Sequence, residues 1–252
     1  MHAKAVFRLD IQNELTNLAP PKYCPPMKYQ AIIFDLDGTL IDSMQLWRQV
    51  DEEFLHKRGI PVPPDLFDLL PQGNSFIQTA QHFKDRFGLD DSVESIMDEW
   101  TVMVREHYTK GVPLKPGVRE LLDQLAASGV KIGLGTSNSM ELARLVLSAH
   151  GVWHYFQGWG TGDMDLRGKP FPDIFLRSAQ DLGVSPQSCI AVEDTLSGVT
   201  AARAAGMRVY AIYDEDSHPF WDEIQALAHL SFEDYNSLSP ILQGELGINT
   251  GA

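Results

Sequence analysis

From Pro116 onward, short apolar runs alternate with segments of helical period, and this alternation restricts the possible folds more than any other feature. Val118, Leu121, Leu122 and Leu125 recur at i, i+3, i+4 and i+7, and Gly129 closes the helix they predict. VKIGLG follows as a strand that ends at Thr136. Leu142, Leu145, Val146 and Ala149 line a second helix up to Gly151, and a third opens near Pro172, where proline fits the first turn. SCIAV is the next strand, ending at Glu193-Asp194; SGVTAARAAG is a helix closed by Gly206, and MRVYAI is a strand again. This βαβαβ order predicts an α/β fold with a parallel sheet and right-handed crossovers. Upstream, Gln30 to Phe34 carries the run AIIF, suited to a fully buried strand that stops at Asp35.

Two stretches depart from that pattern. Residues 1–28 carry the proline-dense PPKYCPP at 20–26 and read as an N-terminal extension or linker. Beyond Ser43, Leu46, Val50, Phe54 and Leu55 mark an amphipathic helix closing at Gly59, and further helices are expected around Phe76–Phe87 and Val93–Tyr108. No strand pattern occurs there, so residues 44–111 are expected to form an all-helical insert within a core of residues 29–43 and 112–252.

Ligands of open parallel sheets bind beyond the carboxyl ends of the strands. The predicted strand ends carry Asp35-Leu36-Asp37-Gly38-Thr39, then Thr136-Ser137-Asn138, then Glu193-Asp194, and Lys169 opens a later helix. Asp35 is the natural nucleophile once a phosphoryl group is held in line with it. Asp37, two residues on, can protonate a leaving oxygen and later deprotonate water. Carboxylates this close need a cation, and Mg²⁺ takes few carboxylates plus water and phosphate oxygens. Asp35 and Asp194 would be its side-chain ligands, with a carbonyl near Asp37, and Glu193 would orient its waters. Thr136 and Lys169 would bind the transferring oxygens.

Taken singly, each feature has a plainer reading. DxDG can be an acidic turn, Thr136 a helix cap, Lys169 a solvated surface lysine and Glu193-Asp194 an acidic cap. Only their joint occurrence at strand ends favours a site. The formal charge of −14 argues against nucleic acid and anionic lipid as partners and calls for local cations if the substrate is a phosphate. Cys24 and Cys189 are unpaired by spacing, and no transmembrane or secretion segment is present, so a cytoplasmic protein, monomeric or weakly dimeric, is expected.

These residues resemble the motifs of the haloacid dehalogenase-like superfamily: DLDGTLIDS its first, LGTSNS its second, GKPFPDIF its third and AVEDTLSGVTAARAAG its fourth. The match spans about residues 29–235 and is similar to the helical-cap members close to β-phosphoglucomutase-like phosphatases. The resemblance implies a Rossmann-like three-layer core with an inserted helical cap, Mg²⁺, and an aspartyl-phosphate intermediate. It makes Asp35 the nucleophile, Asp37 the acid/base, Thr136 and Lys169 phosphate ligands helped by Ser137 and Asn138, and Asp194 a metal ligand. Asp37 argues for phosphoryl transfer, since dehalogenase-like members lack that aspartate. A mutase is expected to carry an arginine in the cap loop Gln72-Gly73-Asn74-Ser75-Phe76, where Phe76 stands, and a histidine where Trp47 stands. The expected activity is therefore a phosphatase acting on a small sugar phosphate. A β-phosphoglucomutase-type mutase and a non-catalytic binding protein remain as alternatives.

Overall fold

The computed structural model describes residues 29–66 and 75–246. The expected extension 1–28 and the loop residues Gly73 and Asn74 lie outside them.

β1 (Ala31–Phe34) is the AIIF run, and all four of its residues are buried. Its side chains alternate across the sheet as a pleated strand requires. Ile32 and Phe34 enter one apolar cluster, Ala31 and Ile33 the other. Three helices follow: α1 (Met44–Lys57), α2 (Phe76–Phe87) and α3 (Val93–Lys110). α2 starts where Ser75 and Gln78 form a reciprocal capping box, and α3 where Ser92 accepts from the Ser95 N–H. They pack through an aromatic cluster in which Phe54, Phe76 and Phe83 surround Trp100 at centroid distances of 5.4, 5.8 and 5.0 Å.

The alternating half runs α4 (Val118–Ser128), β2 (Lys131–Gly135), α5 (Met140–Ala149), β3 (Phe156–Gly160), α6 (Asp173–Leu182), β4 (Cys189–Glu193), α7 (Leu196–Ala204), β5 (Arg208–Ile212), α8 (Trp221–Leu227), β6 (Leu230–Phe232) and α9 (Tyr235–Leu246). Among the described residues these strands form one parallel sheet in the order β3-β2-β1-β4-β5-β6. α6, α7 and α8 cover one face; α4, α5 and α9 cover the other, where the apolar cluster continues unbroken into α1–α3. The result is the expected three-layer α/β core with an inserted helical cap.

Two strands were not foreseen. β3 is FQGWG, whose glycines read as turn residues, and β6 is the three-residue edge LSF. The strand order places β1 between β2 and β4, so the loops after these three central strands open at the same sheet edge. The chain enters and leaves the helical insert side by side: Asp42 N–H donates to the Pro113 carbonyl (3.0 Å) and Lys115 N–H to that of Leu40 (2.9 Å).

Candidate active site

Asp35 follows β1 directly, and its N–H donates to the Val192 carbonyl of β4 over 2.9 Å, which fixes it between the central strands. Its side chain is buried. Lys169 Nζ donates to Asp35 Oδ1 at 2.6 Å and also to Glu193 Oε1. The surface reading of Lys169 is thereby excluded: the residue is 3% exposed. Burial alone would lower the lysine's pKa, but the charges of Asp35 and Glu193 outweigh it and hold the ammonium form. Burial pushes the Asp35 carboxyl up to about 7, against the opposing pull of Lys169.

Glu193 has both oxygens engaged. Oε2 accepts from the backbone N–H groups of Asp194 and Thr195 (2.8 Å each) and from the Thr195 hydroxyl. It therefore clamps Lys169 and the β4–α7 turn together. The plainer reading of Glu193-Asp194 as an acidic cap gives way to Thr195, whose hydroxyl caps the helix by accepting from the Gly198 N–H.

Asp37, like Glu193, accepts four hydrogen bonds. Oδ1 accepts from the Ser43 hydroxyl (2.7 Å), the Trp47 indole N–H (2.8 Å) and the Tyr108 hydroxyl (3.1 Å); Oδ2 accepts from Asn138 Nδ2 (3.0 Å). Asn138, expected to help bind phosphate, reaches Asp37 and Tyr108 with its amide, while its backbone N–H donates to the Thr136 hydroxyl. Thr136 thus sits at the end of β2 but does not cap α5, a task taken by Ser139. Ser137 presents its carbonyl to the Phe76 N–H at 3.0 Å, joining the core loop to the start of α2.

Of the expected cap residues, Trp47 makes a polar contact rather than only an apolar wall. Phe76 is packed between Trp47 and Trp100, and Ser75 is engaged as a helix cap. Sequence reasoning missed Ser43 and Tyr108 as partners of Asp37. Tyr108 falls at an ordinary core position of α3, so only its hydroxyl distinguishes it from a packing residue. Lys115, which pairs with Asp214 at 2.7 Å beside the site, was also missed.

The donor set fits a hard divalent cation. Asp194 is buried, and its carboxyl is pushed well above the usual range by burial, then by the charges of Glu193 and Asp35. Thr39 Oγ1 donates to Asp194 Oδ1 at 2.7 Å. Gly38, at φ +77°, brings its backbone so close that a Cβ there would stand 2.4 Å from Asp194 Oδ2. Asp35, Glu193, Asp194 and Asp214 thus gather four carboxyl groups against the two ammonium groups of Lys169 and Lys115, beside the backbone that follows Asp37. Among the described residues no group of three or more acidic, histidine or cysteine side chains forms a ready-made cage.

A family model described as haloacid dehalogenase-like hydrolase matches residues 32–212. The chain belongs to that family. Hexitol phosphatase A of Escherichia coli (strain K12) is 31% identical to this hydrolase over 205 residues, covering 81% of the chain and 92% of that protein. Among solved structures, CbbY from Rhodobacter sphaeroides in complex with xylulose-(1,5)bisphosphate superposes with a TM-score of 0.76 at 23% identity, over 83% of this chain and 96% of that one. β-Phosphoglucomutase from Clostridium difficile does so with a TM-score of 0.72 at 24% identity, over 86% and 97%. At such identities the two structures speak for the fold of this hydrolase. No helix among its described residues is long and apolar enough to cross a membrane.

Proposed function

We propose that the chain is a Mg²⁺-dependent phosphomonoesterase acting on a small sugar phosphate through an aspartyl-phosphate at Asp35. One observation carries this reading. Asp35 is buried at the end of the central strand with Oδ1 held by Lys169, and Asp37 stands two residues on in a cage of donors. Among the described residues no donor engages Asp35 Oδ2, which leaves it to attack. The Oδ2–P bond forms as the ester P–O bond breaks, and the leaving oxygen takes the proton of Asp37. Asp37 then removes a proton from water as that water attacks phosphorus, the Oδ2–P bond breaks, and inorganic phosphate leaves. The hydroxyls of Ser43 and Tyr108 can each turn from donor to acceptor, so the cage accommodates both states of Asp37.

Asp35, Asp194 and the carbonyl of Asp37 would hold Mg²⁺, which supplies charge neutralisation to the transferring phosphoryl group. Lys169 and Thr136 bind its oxygens, with Ser137 nearby. Residues 44–111 act as a cap hinged near Ser43 and at 110–113, where the paired linkers run. The cap admits substrate and then excludes water. The similarity to hexitol phosphatase A supports a sugar or polyol phosphate as substrate. Packing of Phe76 against Trp47 and Trp100 leaves that position no charge to hold a second phosphate, which weighs against a mutase.

The test is phosphate release from a panel of small phosphate esters, with Mg²⁺ or with EDTA, by wild type and Asp35→Asn. Metal-dependent release that vanishes in the variant is expected. Conversion of β-glucose 1-phosphate to glucose 6-phosphate without net release would move the assignment to a mutase, and inactivity in both assays to a binding protein.

A further inference from the structure

Asp51 lies in the middle of α1 and is 7% exposed, yet among the described residues it accepts no hydrogen bond and joins no ion pair. Neither carboxyl oxygen is fully enclosed, so water or a ligand hydroxyl can still reach a group that the protein itself leaves without a donor. The residue stands one helical turn from Trp47 and precedes Phe54 and Leu55 on the inward face of the helix, so it is not a surface acid buried by accident of length. An enclosed polar atom without a partner occurs in the aromatic cluster of the cap: Trp100 Nε1, on a ring 5.4 Å from that of Phe54. Among the described residues the cap therefore holds an acceptor one turn along α1 from Trp47, and a donor in its aromatic cluster, neither with a protein partner.

We propose that Asp51 is a substrate-selecting residue, receiving hydroxyl donors at the end of the substrate remote from the phosphate and disfavouring esters with a second anionic group there. The proposal rests on the phosphomonoesterase reading and narrows its substrate class to polyhydroxylated monophosphates.

The spacing agrees. Trp47 touches Asp37, where the leaving oxygen would sit, and four residues of helix add about 6 Å. That is the reach of a chain of roughly four carbons beyond the ester oxygen, at about 1.5 Å per bond less the zigzag. A carboxyl at this distance accepts from hydroxyls and, when protonated, also donates to them. Burial, then the neighbouring charge of Glu52, pushes the Asp51 carboxyl up to about 8 without ligand; hydroxyls donating to it favour the carboxylate, whose charge then disfavours a second anion. Bound hydroxyls would supply the missing partners.

The experiment compares kcat and KM for glucitol 6-phosphate, 4-nitrophenyl phosphate and fructose 1,6-bisphosphate in wild type, Asp51→Leu and Asp51→Asn, with the melting temperature of each. Asp51→Leu is expected to lower kcat/KM for glucitol 6-phosphate tenfold or more relative to 4-nitrophenyl phosphate, chiefly through KM. Both variants should raise the relative use of the bisphosphate. A glucitol 6-phosphate to 4-nitrophenyl phosphate ratio within twofold of wild type overturns the proposal, as does an equal loss on all three esters. Should Asp51→Leu fail to fold, the same ratio in Asp51→Asn decides. If the wild type releases phosphate from none of the esters, the phosphomonoesterase reading fails and the proposal falls with it.

Discussion

The indole N–H of Trp47, on the first helix of the insert, donates to Oδ1 of Asp37, on the core loop, over 2.8 Å. Tyr108, near the end of α3, donates to the same oxygen. Two of the four groups that hold the proposed acid/base therefore belong to the cap. Displacing the cap strips Asp37 of half its partners, so cap position and proton transfer are coupled through these bonds.

Trp47→Phe keeps a ring against Phe76 and removes only the donor. With three partners left, Asp37 is held less firmly, and a drop in kcat of roughly tenfold is expected from misplacing a proton-transfer group. KM and the melting temperature should stay near wild type. A change confined to KM or to melting would make Trp47 a packing residue.

Lys169→Met leaves Asp35 and Glu193 buried without their shared cation. Removing one member of such a group costs about 3–5 kcal/mol, and phosphate release should be lost. Adding Glu193→Gln to this variant should restore part of the stability in denaturant melts but none of the activity. Recovery of activity would show that Lys169 serves only to offset Glu193.

Asp51 makes the fold sensitive to pH. Its carboxyl is raised from the ordinary 3.8 to about 8, so the folded state holds a proton that the unfolded chain has lost. Its contribution is complete below about pH 4 and declines as pH rises through 8. Glu52 adds to the effect from the same helix, while Glu99 on the packed α3 is paired with Lys57 and Arg58. Asp51→Asn should accordingly gain stability over wild type on going from pH 5 to pH 8, on the order of 1–3 kcal/mol, read as a widening gap in melting temperature. A gap that stays constant or narrows would contradict this.

The strand-end acids and Lys169 were legible because a parallel sheet projects its loops to one edge, so residues far apart in sequence could be grouped by their position after strands. The first helix of the insert was legible from its period and its closing glycine, whereas the caps Ser75 and Ser92 came to light only in the structure. β3 was not. Its Gly160 packs so near α6 that a Cβ would come 2.0 Å from the Ile174 carbonyl, and a glycine chosen for helix–strand contact looks like one chosen for a turn. Ser43 and Tyr108 were missed because a hydroxyl aimed at Asp37 leaves no periodic trace. Asp51 did leave one, as an acid on the apolar stripe of Val50, Phe54 and Leu55, which the helix assignment passed over.

Among the described strands β1 is the first to be synthesised, yet Ala31 pairs with Lys131 on one side and Cys189 on the other. The apolar AIIF segment must wait for both neighbours to be synthesised, with the whole helical insert emerging in between. Until then its hydrogen-bonding edges are open to other chains. Placing the nucleophile at the centre of the sheet thus makes this protein's assembly depend on late, distant contacts, and on whatever shields that segment during translation.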